Sequence, residues 1–528
     1  MSNHAYESAA ALRPSSNGPI PISTLCERFS LAPASAEDAA ALNDLSILGV
    51  SVDSADTAPG ELFVGLPGFT VHGARFAADA VASGAVAVLT DADGAQIVHQ
   101  AAPGTPVLVH SDPRAVVGPL SAEVYHHPAR GLVTTAVTGT NGKTTTAYFL
   151  DAILSAHVGG CMVAGTVELR VGERSVESPR TTVEAPVLQR MMALAVEDKV
   201  GAASLEASSH AIVLHRLDGI VVDVAGFTNL QRDHLDFHKT MEGYLEAKAQ
   251  LFTPEHARRG VVCVDDQWGA ALAAEAPIEI DRVRAYPGET PADWWVSDAA
   301  VSMTDSATTF ILHGPDGEKI EASCPLPGLV NVQNAALALV MAIRAGVPAA
   351  TAAAALAGAH NIPGRMQRIS QRDGRRGLCI VDFAHTPDAM ELALKAVRPL
   401  TPGRLIVVFG SDGDRDQGKR PMLGEVCARL ADVLVVTDEN PRSEDPQLIR
   451  NAILEGVRGV RPDLTDVEEI TTWRGDAVRR GVELCGPDDT VIVTGKGHEP
   501  FLEMAGEFIR YNDAPVMAEA VEEKWGRA

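Results

Sequence analysis

A β-branched, apolar run from Leu132 to Thr138 breaks into the turn Gly139-Thr140-Asn141-Gly142 and resumes as Lys143-Thr144-Thr145-Thr146 at the head of a helical pattern. A strand that feeds a helix through a glycine turn is the entry to an α/β layer. Successive backbone N–H groups and the helix N-terminus then face one point, which stabilises phosphate oxygens. Lys143 adds a positive charge there, and a threonine hydroxyl can hold Mg²⁺. The strict G-x-x-x-x-G-K-[ST] pattern needs a glycine five places before Gly142, where Val137 stands. The segment nonetheless reads as a nucleotide triphosphate cradle.

At 528 residues the chain exceeds one ordinary core, and its length suggests about three domains. Hydrophobic residues make up 46% and charged residues 21%, which is globular rather than disordered. No apolar run approaches the roughly 18 residues of a membrane helix, and the polar start carries no secretory pattern. Seven scattered cysteines without a C-x-x-C fit free thiols in a reducing cytosol. Forty-four Lys and Arg against 69 Asp and Glu leave a formal net charge of −25, which opposes nonspecific binding to nucleic acid. Anionic ligands must therefore meet local basic clusters.

Residues 1 to about 18 read as a loose tail. Short strands at Glu61–Leu66, Val86–Thr90 and Pro106–His110, alternating with alanine-rich helices, predict a small α/β domain over 1–130. Further strands at Ala202–Glu206, Val222–Thr228 and Gly260–Val264, with a helix over Asn331–Ala345, predict a central P-loop ATPase-like parallel sheet domain over 131–361. Pro363-Gly364 marks a linker. Strands at Leu378–Ala384, Arg404–Gly410, Val433–Thr437 and Thr490–Gly495 predict a Rossmann-like, doubly wound domain over 362–528.

The chemistry-bearing residues cluster where these strands end. Glu206 could hold Mg²⁺ beside Thr144, or the Ser-Ser that follows it could simply cap a helix. Phe227–His238 packs two aspartates, two histidines and an asparagine into twelve residues. Its spacing suits a hard cation with His234 as an occasional ligand, or a solvated loop, rather than structural zinc. Lys248 lies on a helical face with Tyr244, Ala247, Leu251 and Phe252. It either snorkels or, shielded from water, becomes modifiable. In the last domain, Arg415 and Arg442 could clamp a carboxylate while Glu499 holds an ammonium, which suits a zwitterionic amino acid. Surface charge is the alternative for any one of them.

Taken together, these segments resemble the ATP-dependent Mur ligases, and within them the UDP-N-acetylmuramoyl-tripeptide synthetases. The matches are Asp53-Ser54 with the Gly65–Gly73 loop, Thr138–Thr146, Thr181-Thr182, Glu206–His210, Arg216, Phe227–His238, Lys248, Asn331–Asn334, Gly364–Met366, Asp382–Pro387, Arg415–Arg420, Asn440–Arg442 and Gly495–Glu499. The family's cradle also lacks the first glycine. The resemblance implies that Ser54 lies near the uridine nucleotide, and that Thr181, Thr182, Ser208 and Arg216 hold the muramoyl-dipeptide. It implies ATP contacts from Thr138, Gly139, Thr140, Asn141, Gly142, Lys143, Thr144, Thr145, Asn331, Arg365, Asp382 and His385. Mg²⁺ would be served by Thr144, Glu206, His234 and a carbamylated Lys248. The incoming diamino acid would meet Arg415, Asn440, Pro441, Arg442, Gly495 and Glu499. Departures from the family pattern are Glu439 for aspartate before Asn-Pro-Arg, Val183 for proline, Ala55 for arginine and Gln367 for glutamate.

The implied activity is addition of meso-2,6-diaminopimelate to UDP-N-acetylmuramoyl-L-alanyl-D-glutamate through an acyl phosphate, in peptidoglycan precursor synthesis. A cytoplasmic monomer with small-molecule substrates, no nucleic acid and no membrane insertion is expected, with Lys143, Glu206, His234 and Lys248 as its catalytic residues. L-Lysine in place of diaminopimelate, a folylpolyglutamate-synthetase-like ligase, and an ATP-gated binding module are the alternatives.

Overall fold

The computed structural model describes residues 10–301, 307–359 and 362–527; the first nine tail residues and the expected domain boundary at residue 361 lie outside them. The architecture is α/β, and two compact units are present. One comprises Met1–Trp295, His313–Ile320 and Asn334–Leu356, the other Val296–Leu312, Glu321–Gln333 and Ala357–Ala528.

The first unit holds two larger sheets and a two-stranded antiparallel pairing of Ile20–Pro21 with Ser46–Ile47. Its N-terminal sheet consists of β1 (Ala32–Pro33), β2 (Gly49–Ser51), β3 (Glu61–Val64), β4 (Ala87–Thr90) and β5 (Val107–Val109), in the order β1-β5-β4-β3-β2. All its pairings are parallel except β1 with β5. Central strands follow: β6 (Val133–Thr138), β7 (Cys161–Ala164), β8 (Glu168–Val171), β9 (Arg174–Glu177), β10 (Ala202–Glu206), β11 (Val222–Phe227), β12 (Ala257–Cys263) and β13 (Glu279–Arg284). They run β9-β8-β7-β10-β6-β11-β12-β13. Strand β6 is paired in parallel with β10 on one side and β11 on the other. The carboxyl ends of all three therefore open at one point, the place where open α/β sheets bind ligands. At the middle of the sheet both faces are covered, and all five residues of β10 are buried.

The second unit contains β14 (Gln367–Ser370), β15 (Leu378–Val381), β16 (Leu405–Phe409), β17 (Val433–Val436), β18 (Val467–Glu469) and β19 (Thr490–Val493). Their order is β14-β15-β19-β16-β17-β18, parallel except at the β14 edge. Every residue of β15, β16, β17 and β19 is buried. The ends of β16, β17 and β19 lead into the three charged segments picked out in the sequence.

The expectation of a loose tail is corrected for residues 12–17. Leu12 is fully buried in the core of the central sheet. Arg13 forms ion pairs with Asp56 and Glu61 of the N-terminal sheet domain, and Asp56 also receives Arg190 at 2.9 Å. The Ser15 N–H donates to Glu197 at 2.9 Å, while Asn17 Nδ2 donates to the carbonyls of Leu48 (2.7 Å) and Val124 (2.9 Å). One leucine in a polar stretch gave no periodic signal, and the partners of Arg13 lie more than forty residues away.

Arg190 is almost wholly buried and Asp56 nearly so. Asp56→Ala would remove the carboxylate that pairs with buried Arg190 and leave Arg13 with Glu61 alone, with an expected loss of about 3–5 kcal/mol. Urea unfolding checks this, and an unchanged midpoint and slope would show that the pair contributes nothing net.

Candidate active site

The cradle turn depends on two glycines. Gly139 (φ +145°) has no space for a side chain, since a Cβ would stand 1.9 Å from Thr228 Oγ1. Gly142 (φ +89°) lies under Asn334, whose Oδ1 would be 2.2 Å from such a Cβ. The following helix, α1 (Lys143–Val158), begins directly at Lys143. Lys143 Nζ donates to the carbonyls of Gly139 (3.0 Å) and Thr140 (2.9 Å). The turn is braced from the end of β11: Asn141 N–H donates to Asn229 Oδ1 (3.1 Å), and Thr228 Oγ1 donates to the Asn141 carbonyl (2.6 Å).

Glu206 ends β10 beside this turn, 1% exposed. Its carboxylate accepts from Thr144 Oγ1 (3.0 Å), Thr166 N–H (2.8 Å) and Thr166 Oγ1 (2.9 Å). Thr166 Oγ1 in turn lies 3.2 Å from Thr181 Oγ1. The Glu206 carbonyl accepts from Thr182 Oγ1 (2.7 Å), which accepts from the Ser208 N–H (3.0 Å), and Arg216 Nη1 donates to the Thr182 carbonyl (3.1 Å). One hydrogen-bonded chain thus joins Thr144, Glu206, Thr166, Thr181, Thr182, Ser208 and Arg216. Ser54 lies in a short helical turn capped by Asp53, in the N-terminal sheet domain.

Helix α2 (Met241–Ala249) has the face expected for it: Tyr244, Ala247 and Lys248 are buried, as are Leu251 and Phe252 just beyond. Lys248 does not snorkel. It is 0% exposed, donates to the Gly139 carbonyl at 2.8 Å, and lies 4.4 Å over the Tyr244 ring. Burial, and then the nearby Lys143, hold its pKa well below the usual lysine range. His234 (φ +53°) is half exposed, its ring 4.9 Å from that of His210. Burial depresses the pKa of both rings, and burial with His210 and Lys248 pushes His238 down to about 4. Among the described residues no three His, Cys, Asp or Glu side chains gather as a metal site. The Thr144 hydroxyl and the Glu206 carboxylate, 3.0 Å apart, nonetheless form a pair of hard oxygen donors that fits Mg²⁺.

In the second unit Asp382 follows β15, buried, accepting from the Met366 N–H (2.7 Å) and Ala384 N–H (2.9 Å), and burial raises its pKa. The Arg365 guanidinium lies 4.2 Å over the Phe383 ring, and His385 Nδ1 is 2.9 Å from the Phe383 carbonyl. Asn331 donates to the Pro327 carbonyl at 2.8 Å.

Three strand ends converge in the same unit. Asn440, after β17, donates from Nδ2 to Asp412 Oδ1 (3.1 Å) after β16, and to Glu499 Oε2 (3.0 Å) after β19. Arg442 (φ +56°) points its guanidinium at Asp412 (3.8 Å) and Glu503 (3.5 Å). Pro441 packs so tightly that a Cβ on Gly413 would be 1.9 Å from its carbonyl. Gly495 (φ +106°) lies against Glu439, whose Oε2 would be 2.5 Å from a Cβ there. Asn440, Pro441, Arg442, Gly495 and Glu499 are thereby brought together, whereas Arg415 is exposed on the loop after β16. Arg420 makes the two-nitrogen clamp in that loop, on Glu444 (2.8 and 2.9 Å).

Sequence reasoning missed Thr166, Asp412, Lys496 and Arg474. Arg474 is fully buried on Asp513 (2.8 Å) and donates to the carbonyls of Asp438 (2.9 Å) and Thr494 (2.7 Å), pinning the ends of β17 and β19. No local pattern marks it. Lys496 was visible between two glycines in a segment already singled out.

Family models match three stretches: "Mur ligase family, catalytic domain" over 46–125, "Mur ligase middle domain" over 137–342, and "Mur ligase, glutamate ligase domain" over 364–497. The chain belongs to the Mur ligase family. This Mur ligase is 43% identical over 483 residues to the UDP-N-acetylmuramoyl-L-alanyl-D-glutamate–2,6-diaminopimelate ligase of Streptomyces avermitilis, across 92% of the chain and 94% of the relative. It is 42% identical over 508 residues to the UDP-N-acetylmuramyl-tripeptide synthetase of Leifsonia xyli subsp. xyli, across 95% and 96% of the two chains. A solved UDP-N-acetylmuramoyl-L-alanyl-D-glutamate–2,6-diaminopimelate ligase superposes with a TM-score of 0.63 at 30% identity, across 91% of this chain and 96% of that one. Among the described residues, no helix is long and apolar enough to cross a membrane.

Glu439, where this Mur ligase departs from the family aspartate, is 3% exposed, and burial with the nearby Asp412 pushes its pKa up to about 8. Between about pH 4.5 and about pH 8 the folded chain keeps this proton while the unfolded chain releases it. The contribution of Glu439 to stability therefore falls as pH rises through that window. Glu439→Gln cannot ionise, so its Tm should gain on the parent's progressively over the same range and level off above it. A Tm difference independent of pH would show that the folded state holds Glu439 ionised.

Proposed function

We propose that this Mur ligase joins meso-2,6-diaminopimelate to UDP-N-acetylmuramoyl-L-alanyl-D-glutamate at the cost of ATP, in cytoplasmic synthesis of a peptidoglycan precursor. The observation that carries this reading is the unbroken hydrogen-bonded chain from the cradle, through Thr144 and Glu206, to Thr181, Thr182, Ser208 and Arg216. It couples the residues assigned to the phosphates with those assigned to the acceptor carboxylate. We assign Asn331, Arg365, Asp382 and His385 to the nucleotide, and Ser54 to the uridine end, on the family resemblance. The relatives named as diaminopimelate ligases support that amino acid, as does Arg442, whose fork suits a second carboxylate that lysine lacks.

The γ-phosphoryl group of ATP passes to the D-glutamyl side-chain carboxylate, giving an acyl phosphate and ADP. The deprotonated amine of the incoming diamino acid then attacks the carbonyl carbon, the amide bond forms, and inorganic phosphate leaves. The first step brings two anions together. Lys143 and the backbone amides at the start of α1 offset that repulsion in the transition state, where preorganised donors act most strongly. When bound, Mg²⁺ neutralises phosphate charge; Thr144 and Glu206 would hold it, with His234 and a carbamylated Lys248 proposed as further ligands. Burial favours the neutral amine of Lys248, the form that can take up carbon dioxide.

Release of inorganic phosphate with ATP and UDP-muramoyl-dipeptide, across a panel of amino acids, tests the reading. Diaminopimelate should support turnover and lysine should not. Lys143→Ala should lower the rate by roughly 10²-fold or more, with UDP-substrate binding retained. Lysine-dependent release alone would reassign the amino acid, and release with no amino acid in the panel would overturn the ligase function. Lys248→Ala should lose activity and regain part of it with acetate or formate, and full activity without them would end the carbamate assignment.

A further inference from the structure

Lys496 is a fully buried cation at the amino-acid end that the proposed chemistry leaves unused. Its side chain is 0% exposed, while that of Glu499, three residues on, is 35% exposed. A lysine ammonium has three N–H donors and no acceptor. Here the three acceptors are Asn440 Oδ1 at 2.8 Å, Glu499 Oε2 at 2.9 Å and the Phe501 carbonyl at 2.6 Å. Every donor is used and none faces solvent, so Lys496 has nothing left to offer a substrate. Its effect must pass through the groups it holds.

The consequence for Asn440 follows from its two ends. Because Lys496 and the Glu503 N–H (3.2 Å) donate to its Oδ1, the amide nitrogen must point the other way, to Asp412 Oδ1 and Glu499 Oε2. The consequence for Glu499 is similar. Its Oε2 accepts from both Lys496 and Asn440, which restrains the carboxylate and leaves Oε1 outside both of these bonds. The Phe501 carbonyl ties the same nitrogen to the hairpin Phe501–Met504 and Glu507–Arg510, the strand of which also carries Glu503 beside Arg442.

We propose that Lys496 is a positioning residue for the incoming amino acid, aiming the Asn440 amide and the Glu499 carboxylate from beneath the site. This rests on the amino-acid ligase function proposed above. It requires that loss of Lys496 act on the amino acid and leave the earlier, amino-acid-independent step alone.

The full-length enzyme can be read in two ways: KM for diaminopimelate by phosphate release, and acyl phosphate trapped by hydroxylamine with ATP and UDP-muramoyl-dipeptide alone. Lys496→Met, close in shape but without donors, should raise the KM by about 10- to 100-fold, as expected when charged and polar partners lose a buried donor. Trapping, and the KM for ATP, should stay within about twofold, inside the scatter of a neutral change. In an Asn440→Ala, Glu499→Ala background the same substitution should add less than about threefold, because residues acting as one network are not additive. Should Lys496→Met be insoluble, Lys496→Arg gives the same readout: its planar fork cannot direct three hydrogens from one nitrogen, and the KM should still rise with trapping unaffected. Equal losses in KM and trapping would make Lys496 merely structural and overturn the proposal, as would an additive loss in the double background or a parent-like KM in either variant. Trapping by the parent enzyme without any amino-acid-dependent phosphate release would instead overturn the functional reading, and this one with it.

Discussion

Two lysines share one carbonyl. Lys143 from the start of α1 and Lys248 from within α2 both direct Nζ at the oxygen of Gly139. Two ammonium groups on a common acceptor lie within about 6 Å of each other and would repel by roughly 3 kcal/mol at an effective dielectric of about 20. The conflict is relieved if the more deeply buried of them is neutral, and the depressed pKa of Lys248 has that sign. It is relieved further by any anion entering the turn, or by conversion of Lys248 to an anion. The charge state of this one point thus links phosphate binding, lysine chemistry and the Glu206 carboxylate beside it.

That point exists only because the backbone can reach it. Gly139 and Gly142 hold positive φ values with a threonine and an asparagine where a Cβ would stand. Both obstructing side chains come from elsewhere, Thr228 from the end of β11 and Asn334 from the Leu329–Arg344 helix. The turn is therefore shaped by its neighbours as much as by its own sequence. Parallel pairing of β10, β6 and β11 in adjacent positions brings Glu206, the cradle and Thr228 to one edge. A chain of threonines and Ser208 then extends the edge to Arg216.

What the sequence could reveal follows from how local each signal is. Strands β10, β11, β15, β16, β17 and β19 are apolar runs buried on both faces, and each was legible to within a few residues. The face of α2 was legible too, though not the direction of Lys248, because the carbonyl that receives it lies 109 residues away. Hairpin β8–β9 escaped notice because Arg174–Glu177 is polar and mostly exposed, with no alternation to read. The packing of Leu12 and Arg13 escaped because its partners are remote. Thr166 donates twice to Glu206 across forty residues, and nothing in its own neighbourhood marks it. Local periodicity finds elements, and motif spacing finds strand ends, but the second partner of a buried charge is a product of topology.

The proposed amino-acid end is built with the opposite electrostatic sense. The cradle gathers amides and lysines for anions, whereas Asp412, Glu439, Glu499 and Glu503 crowd the ends of three strands in the second unit. Such a cluster can persist only if its charge is offset from below or held neutral. Arg474 and Lys496, both fully buried, supply the first device. Glu439 supplies the second, its pKa raised by burial beside Asp412. This also explains how a glutamate is tolerated where the family carries aspartate. The extra methylene carries the carboxyl up against Gly495, the one residue type that has no Cβ to meet it and that adopts φ +106° without strain. The substitution is absorbed within the strand ends, while Asn440 and Arg442 keep their contacts with Asp412, Glu499 and Glu503. A departure at position 439 therefore changes what lies behind the proposed amino-acid contacts and not those residues' own hydrogen bonds and ion pairs.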